Sequence, residues 1–196
     1  KNLNLLIIDE EHKFGVRQKE RIRSMKSSIN VLSLSATPIP RTLNLSLSKV
    51  RDISLITTPP VGRKSVKTIV SRYSKSLVYE AIQREFYRDG QVFYLLNNVS
   101  ALEDKRNEIY KRFPDKTIAF AHGQLKPKEL ATIMQKFIEK KIDLLVCTTI
   151  IESGIDIENA NTLIVENSEN YGLSQLHQIR GRAVSYTHLT LPTTML

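Results

Sequence analysis

Short apolar runs alternate with amphipathic stretches along the whole chain. Each run is apolar or β-branched and is bounded by polar residues, which predicts strands. The predicted strands are Leu3–Asp9, Asn30–Ser35, Asp52–Thr57, Val66–Arg72, Gln91–Leu96, Thr117–Ala121, Asp143–Cys147 and Thr162–Glu166. This alternation is typical of parallel strands covered by helices, so the predicted fold class is α/β.

Two stretches have the apolar spacing of a helix that buries one face. In Pro127–Lys140, apolar residues recur on one side, charged residues lie on the other, and the leading proline suits a first helical turn. Lys75–Arg88 has a similar stripe and stops before Gly90, a helix-ending signal. Both stripes are expected to belong to the core.

A segment rich in proline interrupts this rhythm near residue 60. Pro59 and Pro60 disfavour helix, and the adjacent Gly62 favours a turn. We therefore expect residues 1–57 to be the C-terminal part of a first lobe, 58–65 a linker, and 66–182 a second lobe. Residues 183–196 are expected to form a separate tail.

Composition and charge favour a soluble protein with a polyanionic partner. The chain has 196 residues, of which 41% are hydrophobic and 25% charged, which argues against disorder. Its net charge of +9 favours nucleic acid, although basic residues can also be solvated surface. A single cysteine, Cys147, cannot form an internal disulfide, and no apolar run reaches the roughly 18 residues of a membrane span. We expect a cytoplasmic location, at the nucleoid, and no membrane partner.

An acidic cluster follows the first predicted strand as Asp9-Glu10-Glu11-His12. Carboxylates at the end of an apolar strand are how a nucleotide-hydrolysing sheet presents ligands to Mg²⁺ and water. Asp9 would hold the metal ion that bridges the phosphates, and Glu10 would orient and deprotonate the attacking water. A solvated acidic strand end is the alternative if the cluster stands alone.

Small hydroxyl residues, Ser35-Ala36-Thr37, follow the next predicted strand, and prolines come after them. Alone, these hydroxyls would be turn or cap residues. An acidic cluster followed by Ser-Ala-Thr at the next strand end resembles motifs II and III of superfamily 2 helicases.

Two later segments extend this resemblance in the same order. The segment from Cys147 to Ile157 resembles motif V, which implies that Thr148 and Thr149 face the nucleic-acid backbone. The same motif implies that Gly154 and Asp156 lie near the nucleotide.

The segment Gln175–Arg182 resembles the start of motif VI, Gln-x-x-Gly-Arg-x-Gly-Arg. This implies that Gln178 and Arg182 belong to the nucleotide site, with Arg182 in the catalytic motif. Together the four motifs imply two RecA-like lobes, each a mainly parallel sheet flanked by helices, with the first incomplete at its N-terminus. ATP would bind in the cleft between them.

The resemblance narrows to the bacterial transcription-repair coupling factors, with the RecG-like branched-DNA helicases as the alternative. Asp9–Glu20 and Ala36–Leu43 carry this likeness, and Glu11 together with Ala121–Leu125 favours the coupling factors. The implied function is an ATP- and Mg²⁺-dependent translocase on double-stranded DNA. It would displace stalled RNA polymerase and recruit excision-repair proteins through regions outside this chain.

Further roles follow from this resemblance. Gly123 and Arg41 become candidate contacts to the nucleic-acid backbone, whereas His12, Ser35 and Thr37 would couple the phosphate site to the DNA face. The alternatives are a polar core histidine for His12 and turn or cap hydrogen bonds for the hydroxyl residues.

The sequence also departs from the family pattern. The printed residues contain no Gly-x-x-x-x-Gly-Lys-Thr phosphate loop, and Val184 and Ser185 stand where motif VI has Gly and its second Arg. We expect the chain to be a fragment whose own ATPase activity is crippled, because an arginine finger is worth about 10³–10⁵ in rate. Residues 183–196 resemble nothing in the family and are expected to be artefactual or disordered.

Two other function classes stay open. One is a non-catalytic DNA-binding module, and the other is an RNA helicase of the same superfamily.

Overall fold

The computed structural model describes residues 3–9, 14–25, 29–35, 54–58, 66–148, 160–180 and 186–191. The chain divides into two compact units, Lys1–Ile56 and Thr57–Leu196, and each is described by itself. Of the predicted linker, only Thr58 falls within the described residues.

The described part of the first unit is a strand–helix–strand arrangement. Strand β1 (Leu5–Asp9) pairs in parallel with β2 (Asn30–Leu34), and helix α1 (Val16–Met25) connects them along the chain. Parallel neighbours need such a crossover because their ends lie far apart. The register places Asp9 opposite Leu34, so the carboxyl ends of both strands lie at one edge.

The second unit contains a six-stranded sheet in the order β3-β8-β7-β4-β6-β5, in which every pair is parallel. Its strands are β3 (Lys67–Arg72), β4 (Val92–Leu95), β5 (Ile118–Ala121), β6 (Leu144–Cys147), β7 (Thr162–Val165) and β8 (Tyr186–Leu191). Its helices are α2 (Lys75–Phe86), α3 (Leu102–Arg112), α4 (Pro127–Ile138) and α5 (Leu173–Arg180).

The core of this unit lies on both faces of the sheet. Phe93 and Leu95 of β4 belong to the cluster that includes α4 and α5, and the Phe93 and Phe137 ring centroids are 4.7 Å apart. Val92 and Tyr94, which point the other way, belong to the cluster that includes α2 and α3. Because both faces are covered, the central strands have continuous apolar sequences.

The predicted α/β class with parallel strands and flanking helices is confirmed. Helices α2 and α4 start at the predicted residues and end two residues early. The predicted strand Asp52–Thr57 is wrong over residues 54–57, which are not in a strand. Ile56 is 97% exposed there, and a strand needs a hydrogen-bonding neighbour, which the described part of the unit does not supply.

The C-terminal tail also differs from expectation over residues 186–191. They form β8, which pairs with β3 on one side and β7 on the other, so they are not disordered. The threonines at positions 187 and 190 are β-branched and suit a strand, and the neighbouring strands offer it backbone hydrogen bonds. Residues 183–185 and 192–196 lie outside the described residues. Within the described segments, no helix has the length and apolarity needed to cross a membrane.

A carboxylate joins helices α2 and α3. Glu108 of α3 accepts a hydrogen bond from the Tyr79 hydroxyl at 3.0 Å and pairs with Lys75 at 2.7 Å, both on α2. Lys105 lies 3.0 Å from its other oxygen. Burial by itself would raise the pKa of Glu108, but the two lysines and the tyrosine outweigh it and lower that pKa to about 2.

We predict that Gly90→Ala destabilises the second unit by about 1–3 kcal/mol through overpacking. A Cβ at Gly90 would lie 1.7 Å from Oε1 of Glu85, which is fully buried. That carboxylate is held by the Thr162 hydroxyl at 2.6 Å and by Arg88, so it cannot move aside freely. Urea unfolding of the variant measures the change.

The matched control is Gly172→Ala, where the nearest atom to the new Cβ is Oε1 of Gln175 at an ordinary 3.6 Å. Equal unfolding free energies for the two variants would contradict the packing argument.

We predict that Glu108→Gln lowers the free energy of unfolding by about 1–2 kcal/mol near pH 7, with a smaller difference in acid. The pKa of Glu108 in the folded chain lies below its ordinary value, so its carboxylate stabilises the fold above about pH 4.5. That contribution is lost as the pH falls from about 4.5 through about 2. Chemical unfolding of both proteins from pH 7 to pH 3 measures it.

Glu80→Gln is the control, because Glu80 forms an exposed ion pair with Arg84 at 3.0 Å on α2. If the free energies of unfolding of the wild-type chain and Glu108→Gln differ by the same amount at every pH, the predicted pH dependence is wrong.

Candidate functional site

The first unit brings two predicted site residues to one edge of its sheet. Asp9 is the last residue of β1, and Ser35 directly follows β2, whose last residue lies opposite Asp9. Both side chains are exposed. Asp9 can therefore present a carboxylate to a ligand beyond this edge. The predicted partners of these two residues, Glu10, His12, Thr37 and Arg41, lie outside the described residues.

In the second unit, three adjacent strands end together. Leu95 and Ala121 both lie opposite Cys147, so the carboxyl ends of β4, β6 and β5 are aligned. Gly123 is exposed two residues beyond β5, and Thr148 is half-buried directly after β6. The amide of Thr148 donates to the carbonyl of Ala121 at 3.4 Å. The two predicted contacts are thus on neighbouring strand ends, and Thr149 lies outside the described residues.

The third strand end carries a feature that sequence reasoning missed. After β4, the Asn98 side chain accepts hydrogen bonds from the Ser100 amide at 3.1 Å and the Ser100 hydroxyl at 2.7 Å. This starts a 3₁₀ turn, Val99–Ala101, that continues directly into α3. We call residues 97–101 the Asn98 turn. A pair of asparagines after an apolar strand was the available signal.

Helix α5 carries one predicted nucleotide-site residue. Gln178 is half-buried, and its neighbour Ile179 is buried in the core cluster that also contains Phe93 and Leu95. The amide of Gly172 donates to Oε1 of Gln175 at 3.0 Å at the start of the helix. Helix α5 is therefore fixed to the sheet through its apolar side. Arg182, Gly154 and Asp156 lie outside the described residues.

A half-buried group of polar side chains lies beside these strand ends, and its central residue is Glu166, directly after β7. Tyr94 of β4 donates its hydroxyl hydrogen to Glu166, and Lys105 of α3 lies 3.2 Å from the same carboxylate oxygen. Lys105 also donates to the Tyr73 hydroxyl at 3.2 Å. We call Tyr73, Tyr94, Lys105 and Glu166 the Glu166 group.

Burial and charge determine the protonation of this group. Burial raises the pKa of Tyr94 far above its ordinary value, and the Glu166 carboxylate raises it further. Burial by itself would lower the pKa of Lys105, but the carboxylates of Glu166 and Glu108 outweigh it and raise that pKa. Tyr94 therefore remains a hydrogen-bond donor and Lys105 a cation at physiological pH.

The described residues contain no group of three or more His, Cys, Asp and Glu side chains that could hold a metal ion. The acidic cluster reaches into residues 10–13, which are not described. Asp9 itself has the hard oxygen ligands that Mg²⁺ prefers, and its exposed position at a strand end fits the predicted role.

The chain is similar to curated proteins over most of its length. It is 52% identical to the transcription-repair-coupling factor of Buchnera aphidicola subsp. Baizongia pistaciae (strain Bp), over 96% of this chain and 27% of that protein. It is 51% identical to the transcription-repair-coupling factor of Escherichia coli (strain K12), over 93% of this chain and 16% of that protein. The chain thus spans about a quarter or less of these relatives.

Solved structures have the same fold. RecG bound to a three-way DNA junction is 34% identical and superposes with a TM-score of 0.73, over 100% of this chain and 27% of that one. The Mycobacterium smegmatis helicase Lhr, bound to ssDNA and AMP-PNP, has a TM-score of 0.69 at 15% identity, over 97% of this chain and 29% of that one. The second likeness supports the fold alone.

The family follows from the second unit. The helicase conserved C-terminal domain matches residues 74–186. These residues include strands β4, β5, β6 and β7 and helices α2 to α5. This match covers more than half of the 196 residues. The chain therefore belongs to the helicase family that this conserved C-terminal domain defines.

Proposed function

We propose that this chain is part of the motor of an ATP-driven translocase on double-stranded DNA, of the transcription-repair-coupling-factor type. The main support is its 51–53% identity to proteins of that name over 93–96% of its residues. The activity belongs to the parent protein, because the chain spans only part of such relatives.

The DNA contact that we propose runs along the carboxyl ends of β4, β6 and β5. The Asn98 turn, Thr148 and Gly123 follow these strands in spatial order, with Thr149 and Arg41 as further predicted contacts. The start of α3 lies at the same edge, but its first turn carries the exposed carboxylates of Glu103 and Asp104, so the proposed phosphate contacts are the strand-end residues and not this helix start. Hydroxyls and backbone amides can bind phosphate, and phosphate contacts carry no sequence information.

Residues of the nucleotide site are proposed in each unit taken by itself. Asp9 would hold Mg²⁺ against the ATP phosphates, and Glu10 would take a proton from the attacking water. The second unit would contribute Gln178, Gly154, Asp156 and Arg182. His12, Ser35 and Thr37 would couple this site to the DNA.

RNA polymerase and excision-repair proteins are the proposed partners of the parent protein, bound through regions outside this chain. The site of action would be the nucleoid in the cytoplasm. Both statements rest on the similarity to coupling factors.

A RecG-like branched-DNA helicase is the second candidate. The RecG structure superposes over the whole chain, but its identity of 34% is well below the 51–53% of the coupling factors. The first candidate is therefore favoured. A non-catalytic DNA-binding role is supported only by Val184 and Ser185, which replace two motif VI residues.

We predict that this chain binds a DNA duplex of about 30 base pairs without ATP. The affinity should fall steeply between about 50 and 200 mM salt, because contacts to phosphates release counterions. Thr148→Val should weaken binding about 5- to 10-fold, which corresponds to about 1–1.4 kcal/mol, the usual net contribution of one hydrogen bond. Fluorescence anisotropy with labelled DNA measures both effects.

Thr132→Val serves as the control, because the Thr132 hydroxyl donates to the Lys128 carbonyl at 2.9 Å on the exposed side of α4. Lack of binding at about 50 mM salt, where charges are screened less than at physiological ionic strength, would refute the proposed contact.

We predict DNA-stimulated ATPase activity once the chain is extended upstream with the phosphate-loop segment of a coupling factor and carries Val184→Gly and Ser185→Arg. Glu10→Gln should then reduce the rate about 10²- to 10⁴-fold, because water loses its general base. Phosphate release with duplex DNA or RNA as the stimulant measures the rate.

Glu20→Gln on the exposed surface of α1 should leave this rate unchanged. Equal activity of Glu10→Gln and the unsubstituted chain would remove Glu10 from its role, and stronger stimulation by RNA would favour an RNA helicase.

A further inference from the structure

The Glu166 group lies between two loops that the proposed function assigns to different ligands. On one side, Lys105 lies in the first turn of α3, and α3 begins directly after the Asn98 turn. On the other side, Glu166 is followed by Asn167, whose φ of 52° turns the chain toward α5 and Gln178. We call residues 166–172 the β7–α5 loop. The group therefore joins a proposed DNA contact to a proposed nucleotide contact.

Glu166 is bonded both to strand β4 and to helix α3. The Glu166 amide donates to the carbonyl of Leu95 in β4, while its side chain receives bonds from Tyr94 and Lys105. Lys105 is only 13% exposed and Glu166 only 15%, so water can replace few of these bonds. A half-buried charge that loses its partner is destabilised, which favours keeping Lys105 and Glu166 in contact when either loop moves.

The apolar residues beneath the group form a second link. Leu102, at the start of α3, lies in one buried cluster with Tyr94 of β4 and Ile164 of β7. Closely packed side chains transmit small displacements because they have no space to absorb them. A shift of the Asn98 turn would therefore reach Lys105 and Leu102 together.

We propose that Lys105 is a positioning residue that couples the Asn98 turn to the β7–α5 loop through its ion pair with Glu166. DNA held at the turn would restrict the start of α3, and the ion pair would restrict the β7–α5 loop, which leads into the helix that carries Gln178. The inference rests on the proposed function, since it takes the Asn98 turn as a DNA contact.

Amide hydrogen exchange of the chain, with and without a duplex of about 30 base pairs at low salt, tests this coupling. Exchange rates report local opening of the protein backbone. In the unsubstituted chain, DNA should slow exchange in the Asn98 turn and also, by about 5-fold or more, in the β7–α5 loop. In Lys105→Met, DNA should still protect the turn, but the protection of the loop should disappear.

Two further variants separate coupling from general loss of structure. Lys105→Arg keeps the charge and should restore protection of the loop, whereas Lys141→Met removes only an exposed ion pair with Glu139 and should change nothing. If Lys105→Met does not fold, Tyr94→Phe takes its place in the test. This variant removes the hydroxyl that bonds Glu166 and should reduce the protection of the β7–α5 loop.

The possible outcomes are distinct. Loss of loop protection in Lys105→Met, with the turn still protected and Lys105→Arg like the unsubstituted chain, supports the coupling. Equal loop protection in Lys105→Met, Tyr94→Phe and the unsubstituted chain overturns it and leaves the proposed function intact. Absence of DNA binding by the unsubstituted chain overturns the proposed function and this inference together.

Discussion

The organisation of the second unit depends on one constraint: its central strands are parallel and buried on both faces. Four consecutive residues are buried in each of β4, β6 and β7, so no side chain within these strands is exposed to a ligand in solution. Parallel pairing also brings every carboxyl end to the same edge. Polar residues that follow the strands must therefore gather at that edge, which is where ligands bind in open α/β sheets.

The same constraint explains the unusual burial of charge at this edge. Glu166 follows a fully buried strand and lies next to β4, so its carboxylate is partly desolvated. An unpaired carboxylate would be costly in this place, and Lys105 and Tyr94 stabilise it with a cation and a hydroxyl donor. Asp9 differs because it is exposed at the end of its strand, and an exposed carboxylate remains available to a metal ion. The two strand-end carboxylates therefore differ in environment, one exposed and one half-buried and paired.

The pattern of apolar residues predicted strands β1 to β7, including β1, β2 and β3, whose residues are mostly exposed, and missed elements formed for other reasons. Helix α4 has a clear apolar side and was predicted from it, whereas α3 is mostly charged and its two buried residues, Leu102 and Ile109, are seven positions apart. Strand β8 was missed because its threonines and leucines were assigned to a tail, although a gap between β3 and β7 accepts such a sequence. Tertiary hydrogen bonding decided that case.

The positions of Thr148 and Gly123 after strands could be predicted from the sequence, whereas contacts between residues far apart in the chain could not. Tyr94 and Glu166 are 72 residues apart along the chain, and neither is conspicuous in its local sequence. Their contact arises because β4 and β7 are neighbours in the sheet, with Leu95 opposite Val165. Sheet order cannot be read from the spacing of apolar residues, which is the same for any arrangement of buried strands. The residues that would transmit a signal between ligands are for this reason harder to find in a sequence than those that would touch the ligands.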